Sequence, residues 1–467
     1  MTSILHLTRG RSLHWLMPIP NGMAAIRRRE DPAGTCRASR RQRMLGRCAC
    51  QRLALVMLIA CGLGLLLSGC ALRTGKQPRH EVTPLYAATS AEFQQAAGSL
   101  LGSSFVSGNS ITTLANGRQI FPAMLGAIRA AKHSINFETY IFYDGRIGRE
   151  FTAALAERAR AGVKVCAVLD AQGTRTMGAQ NEAQLREAGV EVVKYHSAKW
   201  LDPRRYNNRS HRKLLIVDGR IGFIGGVGIA DEWSGNADSP QHWRDNHYKV
   251  TGPVVAQLQA TFMAHWLETR GDLLHGTDYF PPLASTGAYL AQSIRSSKAN
   301  ANLDLMYLLA IASAQKTLRI ENAYFVPDDL TRLELISAAR RGVKVEVIMP
   351  GNLIDQQLVR SASKKHWPEL LEAGVKMYEY QPTMMHVKLM IVDDYFVSVG
   401  SGNFDKRSIT HNDEANLNVL NRSFAAEQTR LFDQDKRRSR PVNINEVHSE
   451  GLAKVPQQAA ALVTSQL

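Results

Sequence analysis

The sequence predicts an α/β fold built from two similar domains with mostly parallel sheets, and three observations carry that expectation. The chain of 467 residues repeats itself at a spacing of about 180. Within each repeat, short apolar strands alternate with helical patterns, the arrangement of α/β units. A histidine and a lysine two residues apart stand at equivalent places in both repeats. An apolar content of 45% is that of a globular protein and excludes dominant disorder.

The first element in chain order is a basic leader, residues 1–69. The chain carries a formal charge of +16, and this leader holds eleven arginines against Glu30 and Asp31, so nine of those charges lie there. Arg47 and Arg52 precede an apolar stretch from Leu53 to Leu67, followed by Ser68, Gly69 and Cys70. Basic, apolar and small-residue regions in that order form a secretory signal. The stretch is short against the roughly 20 residues of a membrane-spanning helix. An uncleaved anchor is the alternative reading, and Met44 is an alternative start that shortens the basic segment. Leu67-Ser68-Gly69-Cys70 resembles the lipobox of bacterial lipoproteins. That resemblance implies cleavage before Cys70, lipidation of Cys70 and, with Ala71 following, an outer-membrane bias. Cys36, Cys48, Cys50 and Cys61 fall in the leader, which leaves Cys166 alone in the body and no internal disulfide.

Residues 70–110, rich in Ala, Ser, Gly and Thr, read as a tether followed by a helix or two. The repeats then occupy 111–285 and 286–440, with a tail at 441–467. In the first, AAKHSINFETYIFYD is followed by RARAGVKVCAVLDA; in the second, AQKTLRIENAYFVPD by AARRGVKVEVIMPG. LREAGV at Leu185 and LLEAGV at Leu370 extend the match. LDLMYLLAIA near Leu303 is broken by Asp304 and reads as a core helix.

The chemistry sits in HRKLLIVDGRIGFIGGVG, with His211, Lys213 and Asp218, and HVKLMIVDDYFVSVGSGN, with His386, Lys388 and Asp393. Residues two apart on a strand share a face, so each His and Lys project together. The aspartates fall on the other parity, at hairpin turns, which suits a turn-orienting role. Glycines 222, 225, 226 and 228 lack the dinucleotide register and are expected to admit a phosphate or form a tight turn. The loop 200–209, WLDPRRYNNR, reads equally as an interfacial lid over anionic headgroups or as an ordinary exposed loop.

The paired motifs resemble the HKD motifs of the phospholipase D superfamily, over about Ile111 to Pro441. GGVGIADEW, HWRD at His242, YFVPD at Tyr324 and GSGNFDKRS at Gly400 are similar to its bacterial cardiolipin synthase branch. The first motif departs from the pattern, with Gly226 and Gly228 where the second has Ser401 and Asn403. The resemblance implies two phospholipase D-like domains with the active site at their interface and all six motif residues in the catalytic set. It also implies His211 as nucleophile and His386 as general acid and then base, an assignment the sequence alone leaves reversible. Two imidazoles and two ammonium groups suit phosphodiester chemistry through a phosphohistidine, with no metal and no cofactor. Gly225, Ser401 and Asn403 are the expected substrate-binding positions.

Each histidine needs a partner that fixes its tautomer. Glu414, in the half that carries His386, resembles the family's orienting glutamate. Asp245 takes the similar place after His211, with a surface salt bridge to Arg244 as its alternative. The implied function is phosphatidyl transfer that makes cardiolipin from phosphatidylglycerol and a second phospholipid. Hydrolysis by a phospholipase D or nuclease is the alternative, and a lipid-binding protein with a dead site is a further class. A body excess of +7 fits anionic phospholipids at a membrane and not nucleic acid. The expected address is the bacterial cell envelope.

Overall fold

The structure is a computed structural model that describes residues 85–196 and 208–445. The leader, Cys70 and all of the loop 200–209 except Asn208 and Arg209 lie outside the described residues. Helix α1 (Ala91–Leu100), capped by the Ser90 hydroxyl, leads into β1 (Val106–Ala115) and α2 (Asn116–Ala130). Phe93 and Ala97 of α1 are buried in the core, so residues 91–110, read as tether and helix, belong to the folded body.

The first repeat continues as β2 (Ser134–Thr139), α3 (Arg146–Arg160), β3 (Lys164–Asp170), α4 (Ala179–Glu187) and β4 (Glu191–Tyr195). Helix α3 buries Ile147, Phe151 and Leu155, spaced at four, and its first N–H groups donate to the Asp231 carboxylate at 2.9 and 2.8 Å. It ends at Gly162, whose φ of +88° is the left-handed stop that favours glycine. Gly342 repeats this at +93°, so the duplicated GVKV is a helix stop followed by a strand. There follow β5 (Arg209–Ser210), β6 (Leu214–Val217), β7 (Ile221–Gly225), a 3-10 turn at Asp231–Trp233, β8 (Asn246–Thr251) and α5 (Val255–Arg270).

The second half opens with β9 (Tyr289–Ser296), α6 (Asn302–Ala312), β10 (Thr317–Asn322), α7 (Asp329–Arg340) and β11 (Lys344–Pro350). Next come α8 (Gln357–Lys364), α9 (Trp367–Glu372), β12 (Lys376–Tyr380), β13 (Lys388–Val392) and β14 (Phe396–Gly400). It closes with α10 (Lys406–Thr410), β15 (Asn412–Leu420), α11 (Arg422–Arg437) and β16 (Ser439–Pro441). The apolar run near Leu303 is the buried helix α6. β16, in a stretch without sequence pattern, adds to the sheet edge beside β12.

The strands join in the order β16-β12-β11-β10-β13-β14-β15-β9-β1-β8-β7-β6-β2-β3-β4, with β5 alongside β15. The expectation of mostly parallel sheets is corrected here: pairing is parallel within β2–β3–β4, within β10–β11–β12 and at β5–β15, and antiparallel elsewhere. The reason lies at two turns. Asp218 and Gly219 have φ of 52° and 60°, and Asp393 and Asp394 both 51°, so three-residue turns at 218–220 and 393–395 close β6–β7 and β13–β14 into hairpins.

The sheet runs unbroken through the middle of the chain, where β8, β1, β9 and β15 pair in turn. One apolar cluster joins Ile216, Tyr248, Phe262 and Trp266 to Leu389, Ile391, Val397 and Phe424. Each fully buried side chain of this kind stabilises by about 1.5–3 kcal/mol, so the halves share a core as well as a sheet. Among the described residues no helix is long and apolar enough to cross a membrane.

Candidate active site

Both histidines lie where a strand begins, His211 between β5 and β6 and His386 just before β13. The backbone alternates there. Arg212 turns away and donates to the Thr261 carbonyl at 3.0 Å, and Val387 turns into the shared core. His211, Lys213 and His386 thereby face one cavity of about 720 Å³. Tyr140, Gln172, Arg175, Arg209 and Arg407 form part of its wall, and Trp233, Trp243, Tyr324 and Asp355 another. Lys213 Nζ donates to the His211 carbonyl at 2.7 Å, and Lys388 Nζ to that of His386 at 2.6 Å.

The orienting acids are exchanged between the halves. His211 Nδ1 is 2.9 Å from the Glu414 carboxylate, and His386 Nδ1 is 2.7 Å from Asp245 Oδ2. The sequence placed each acid after the histidine of its own repeat; in the fold each serves the other repeat's histidine. Backbone contacts enforce the exchange, since the His211 N–H donates to the Asp413 carbonyl at 2.9 Å and the His386 N–H to the Arg244 carbonyl at 2.7 Å. Each acid therefore follows directly the residue that pins the opposite histidine. The reading of Asp245 as a surface partner of Arg244 is also corrected: both are buried, and Arg244 pairs with Asp435 at 2.7 Å.

A carboxylate on Nδ1 fixes the Nδ1–H tautomer and leaves Nε2 with its lone pair. Burial pushes the His211 imidazole down to about 4, with Glu414 opposing, and the His386 imidazole to about 3, helped by Lys388. Burial likewise lowers Lys213 to about 7 and Lys388 to about 8. It would raise the carboxyls of Glu414 and Asp245, but the facing imidazoles and lysines hold both below the usual range. Burial thus weakens the positive charge of all four groups, which an entering phosphodiester would strengthen.

Asp218 and Asp393 stand away from this centre. The Asp218 carboxylate accepts from the N–H groups of Lys132, His133 and Ser134 at 2.7–3.1 Å. Asp393 accepts from those of Gln315, Lys316 and Thr317 at 2.7–2.9 Å. Each ties a hairpin to the start of the central strand of its half. Their inclusion among catalytic residues is corrected to the turn-orienting role that strand parity gives.

The other expected positions divide. Asn403 lines the cavity, and its Oδ1 has no partner among the described residues. Ser401 is buried and donates to Glu414 Oε2 at 2.5 Å, so it supports the acid. Gly225 does not line the cavity; a Cβ there would come within 2.5 Å of His247 Nδ1, so it admits β8 and not a phosphate. At Gly226 a Cβ would come 2.6 Å from the Asp245 carboxylate, and at Gly228 it would come within 3.1 Å of Trp233. Trp233 explains the lopsided motifs, because its Nε1 donates to Asp245 Oδ2 at 3.0 Å. Sequence reasoning assigned no role to Trp233 or to Ser408, whose Oγ donates to Glu414 Oε1 at 2.8 Å. Both stand inside the motif strings GGVGIADEW and GSGNFDKRS.

A family model described as "Cardiolipin synthase, PLD-like domain" matches residues 124–266 and 307–436, once in each half. The chain belongs to the phospholipase D superfamily, in its cardiolipin synthase-like branch. It is accordingly a phosphatidyltransferase of that superfamily. Cardiolipin synthase 2 of Bacillus anthracis is 33% identical over 345 residues, covering 73% of this chain and 67% of the relative. Cardiolipin synthase A of Pseudomonas putida is 33% identical over 342 residues, covering 72% and 69%. The crystal structure of phosphatidylserine synthase from Haemophilus influenzae Rd KW20 matches with a TM-score of 0.63 at 14% identity, over 80% of this chain and all of that one, a likeness of fold.

Proposed function

We propose that this protein makes cardiolipin from phosphatidylglycerol and a second phospholipid, by way of a phosphohistidine on His211. The observation that carries the reading is the pair of crossed contacts, His211 to Glu414 and His386 to Asp245, which prepares two imidazoles at one cavity.

His211 Nε2 attacks the donor phosphorus; the N–P bond forms as the P–O bond to the leaving alcohol breaks. His386, protonated once the phosphodiester charge has entered, gives its Nε2 proton to the leaving oxygen. The neutral His386 then takes the proton of the acceptor hydroxyl, whose oxygen bonds to phosphorus as the N–P bond breaks and His211 is restored. Lys213, Lys388 and the Asn403 side chain meet the phosphoryl oxygens as charge builds on them. The substrates are anionic phospholipids and not nucleic acid. Lipid on Cys70 holds the enzyme at the envelope membrane, and radiolabelled palmitate incorporation that Cys70→Ala abolishes tests this point.

Lipid extracts from a cardiolipin-deficient bacterium expressing the protein test the function. New cardiolipin that disappears with His211→Asn supports it. Free phosphatidic acid or cleaved DNA in its place indicates hydrolysis, and no change in the lipids rejects catalysis.

A further inference from the structure

Behind each histidine lies a second buried ionic contact, and the two are built with opposite polarity. On the His386 side the cation is Arg244, the residue before Asp245. Its Nε donates to Asp435 of α11 at 2.9 Å, while Nη1 donates to the Asp245 carbonyl at 2.9 Å and to Asn246 Oδ1. On the His211 side the residue before Glu414 is the acid, Asp413, and the cation comes from helix α5. His265 Nε2 is 3.4 Å from Asp413 Oδ2, and its Nδ1 is 2.5 Å from Glu138 Oε1. His265, Asp413 and Glu138 are all buried.

Strands β2, β4, β5 and β15 all contribute to the cluster around His265. From β4, Tyr195 stacks on the imidazole at 4.1 Å, and its hydroxyl donates to Asp413 at 2.7 Å and lies 3.0 Å from Glu268 of α5. Ser210 of β5 donates to Glu138 Oε1 at 2.6 Å. Arg212 is the nearby cation that opposes charge on His265. Through Ser210 and Asp413 this cluster grips both strands of the β5–β15 crossing, where Ser210 pairs with Asp413, immediately before His211 and Glu414.

We propose that His265 is a positioning residue for His211: as an imidazolium it bridges Asp413 and Glu138, holds the β5–β15 crossing that seats Glu414 against His211, and makes this support, unlike the Arg244 to Asp435 contact behind His386, sensitive to pH. The rate readouts below rest on the proposed transferase reading; the exchange readout does not.

An imidazolium has two N–H donors and serves both carboxylates, whereas a neutral imidazole has one and strands a buried carboxylate. Burial and Arg212 oppose protonation of His265, but Glu138 and Asp413 outweigh them and its titration is raised. The stabilisation is therefore complete below the ordinary histidine value and is lost as pH rises through the elevated one. A guanidinium keeps all its donors throughout that range, so the Arg244 to Asp435 contact does not titrate with it.

The test follows two backbone N–H groups in the intact wild-type protein, that of His211, which donates to the Asp413 carbonyl, and that of His386, which donates to the Arg244 carbonyl. Hydrogen exchange corrected for its intrinsic pH dependence is compared with the titration of His265 followed by NMR. The expected result is that His211 protection falls at least tenfold across that titration while His386 protection stays constant. In His265→Gln, kcat is expected to fall about 10–100-fold with KM within about twofold, the scale of losing a second-layer partner, and the alkaline limb assigned to His265 disappears. His265→Lys, which keeps a cation, retains turnover at the pH where the wild type declines. Equal protection of the two N–H groups at all pH overturns the proposal, as does a folded Gln variant with wild-type kcat and pH profile. If the wild type makes no cardiolipin, the function is wrong, and the exchange comparison still decides the role of His265.

Discussion

The His211 and His386 corners share one backbone plan and differ in what holds the orienting acid. At His211 the acid is a glutamate carried by the other half, held by the Ser401 and Ser408 hydroxyls. At His386 it is an aspartate held by the Trp233 indole and the Asn246 N–H, with Gly226 making room. Tyr140 packs 5.3 Å from the His211 imidazole, whereas two indoles, Trp233 and Trp243, pack within 5.5 Å of that of His386. A duplicated chain has thus kept two matching imidazoles while diverging around them, which suits the proposed reaction, in which one histidine attacks phosphorus and the other moves protons.

The largest effects break the comparison outright. His211→Asn and His386→Asn are both expected to lower phosphatidyl transfer by more than about 10⁴-fold with folding intact, the scale of losing a catalytic acid or base. An assay with labelled phosphatidylglycerol and circular dichroism checks both. Next, Glu414→Gln and Asp245→Asn each free a tautomer and are expected to cost about 10²–10⁴-fold in kcat. If each acid served its own half's histidine, the steps affected would be reversed.

A smaller effect separates the supports. Ser401→Ala removes one hydrogen bond to a buried carboxylate and is expected to destabilise by about 1–3 kcal/mol, visible in thermal unfolding and in the first half-reaction. The two lysines give a pH dependence with a definite sign. Lys213 is lowered to about 7 and Lys388 to about 8, and an entering phosphodiester favours their charged forms. Glycerophosphoglycerol affinity is expected to be highest below pH 7 and to fall as pH rises through 7 to 8 and beyond, by up to tenfold per unit for each proton taken up; calorimetry at several pH values reads it. The smallest expected effect on rate is at Asp218→Asn, which loses charge-assisted bonds at a turn for about 1–3 kcal/mol of stability and leaves kcat of the folded enzyme within about twofold.

Local signals carried much of this into the sequence. GVKV announces a helix stop at Gly162 and Gly342, and strand parity separates Asp218 and Asp393 from the histidines on their strands. What stayed hidden is long-range. The spacing of Asp245 after His211 resembles that of Glu414 after His386, and only the crossing of β5 against β15 and of Arg244 against Met385 exchanges the partners. Ion pairs between halves, such as Arg244 with Asp435, leave no local pattern. The antiparallel centre is only partly legible: the turns at 218–220 and 393–395 mark local hairpins, whereas the pairing of β8, β1, β9 and β15 in turn joins distant segments, and helix and strand alternation speaks for parallel pairing.

The crossed site is tested most directly with a phosphatidyl donor whose leaving group is p-nitrophenol, which departs without a proton. With His386→Asn and Asp245→Asn, the account predicts a rapid burst of one equivalent of p-nitrophenol and then a stall, since His211 and its partner Glu414 are intact. With His211→Asn and Glu414→Gln it predicts no burst on that timescale. A burst retained in Glu414→Gln and lost in Asp245→Asn would contradict the pairing of each histidine with the other half's acid.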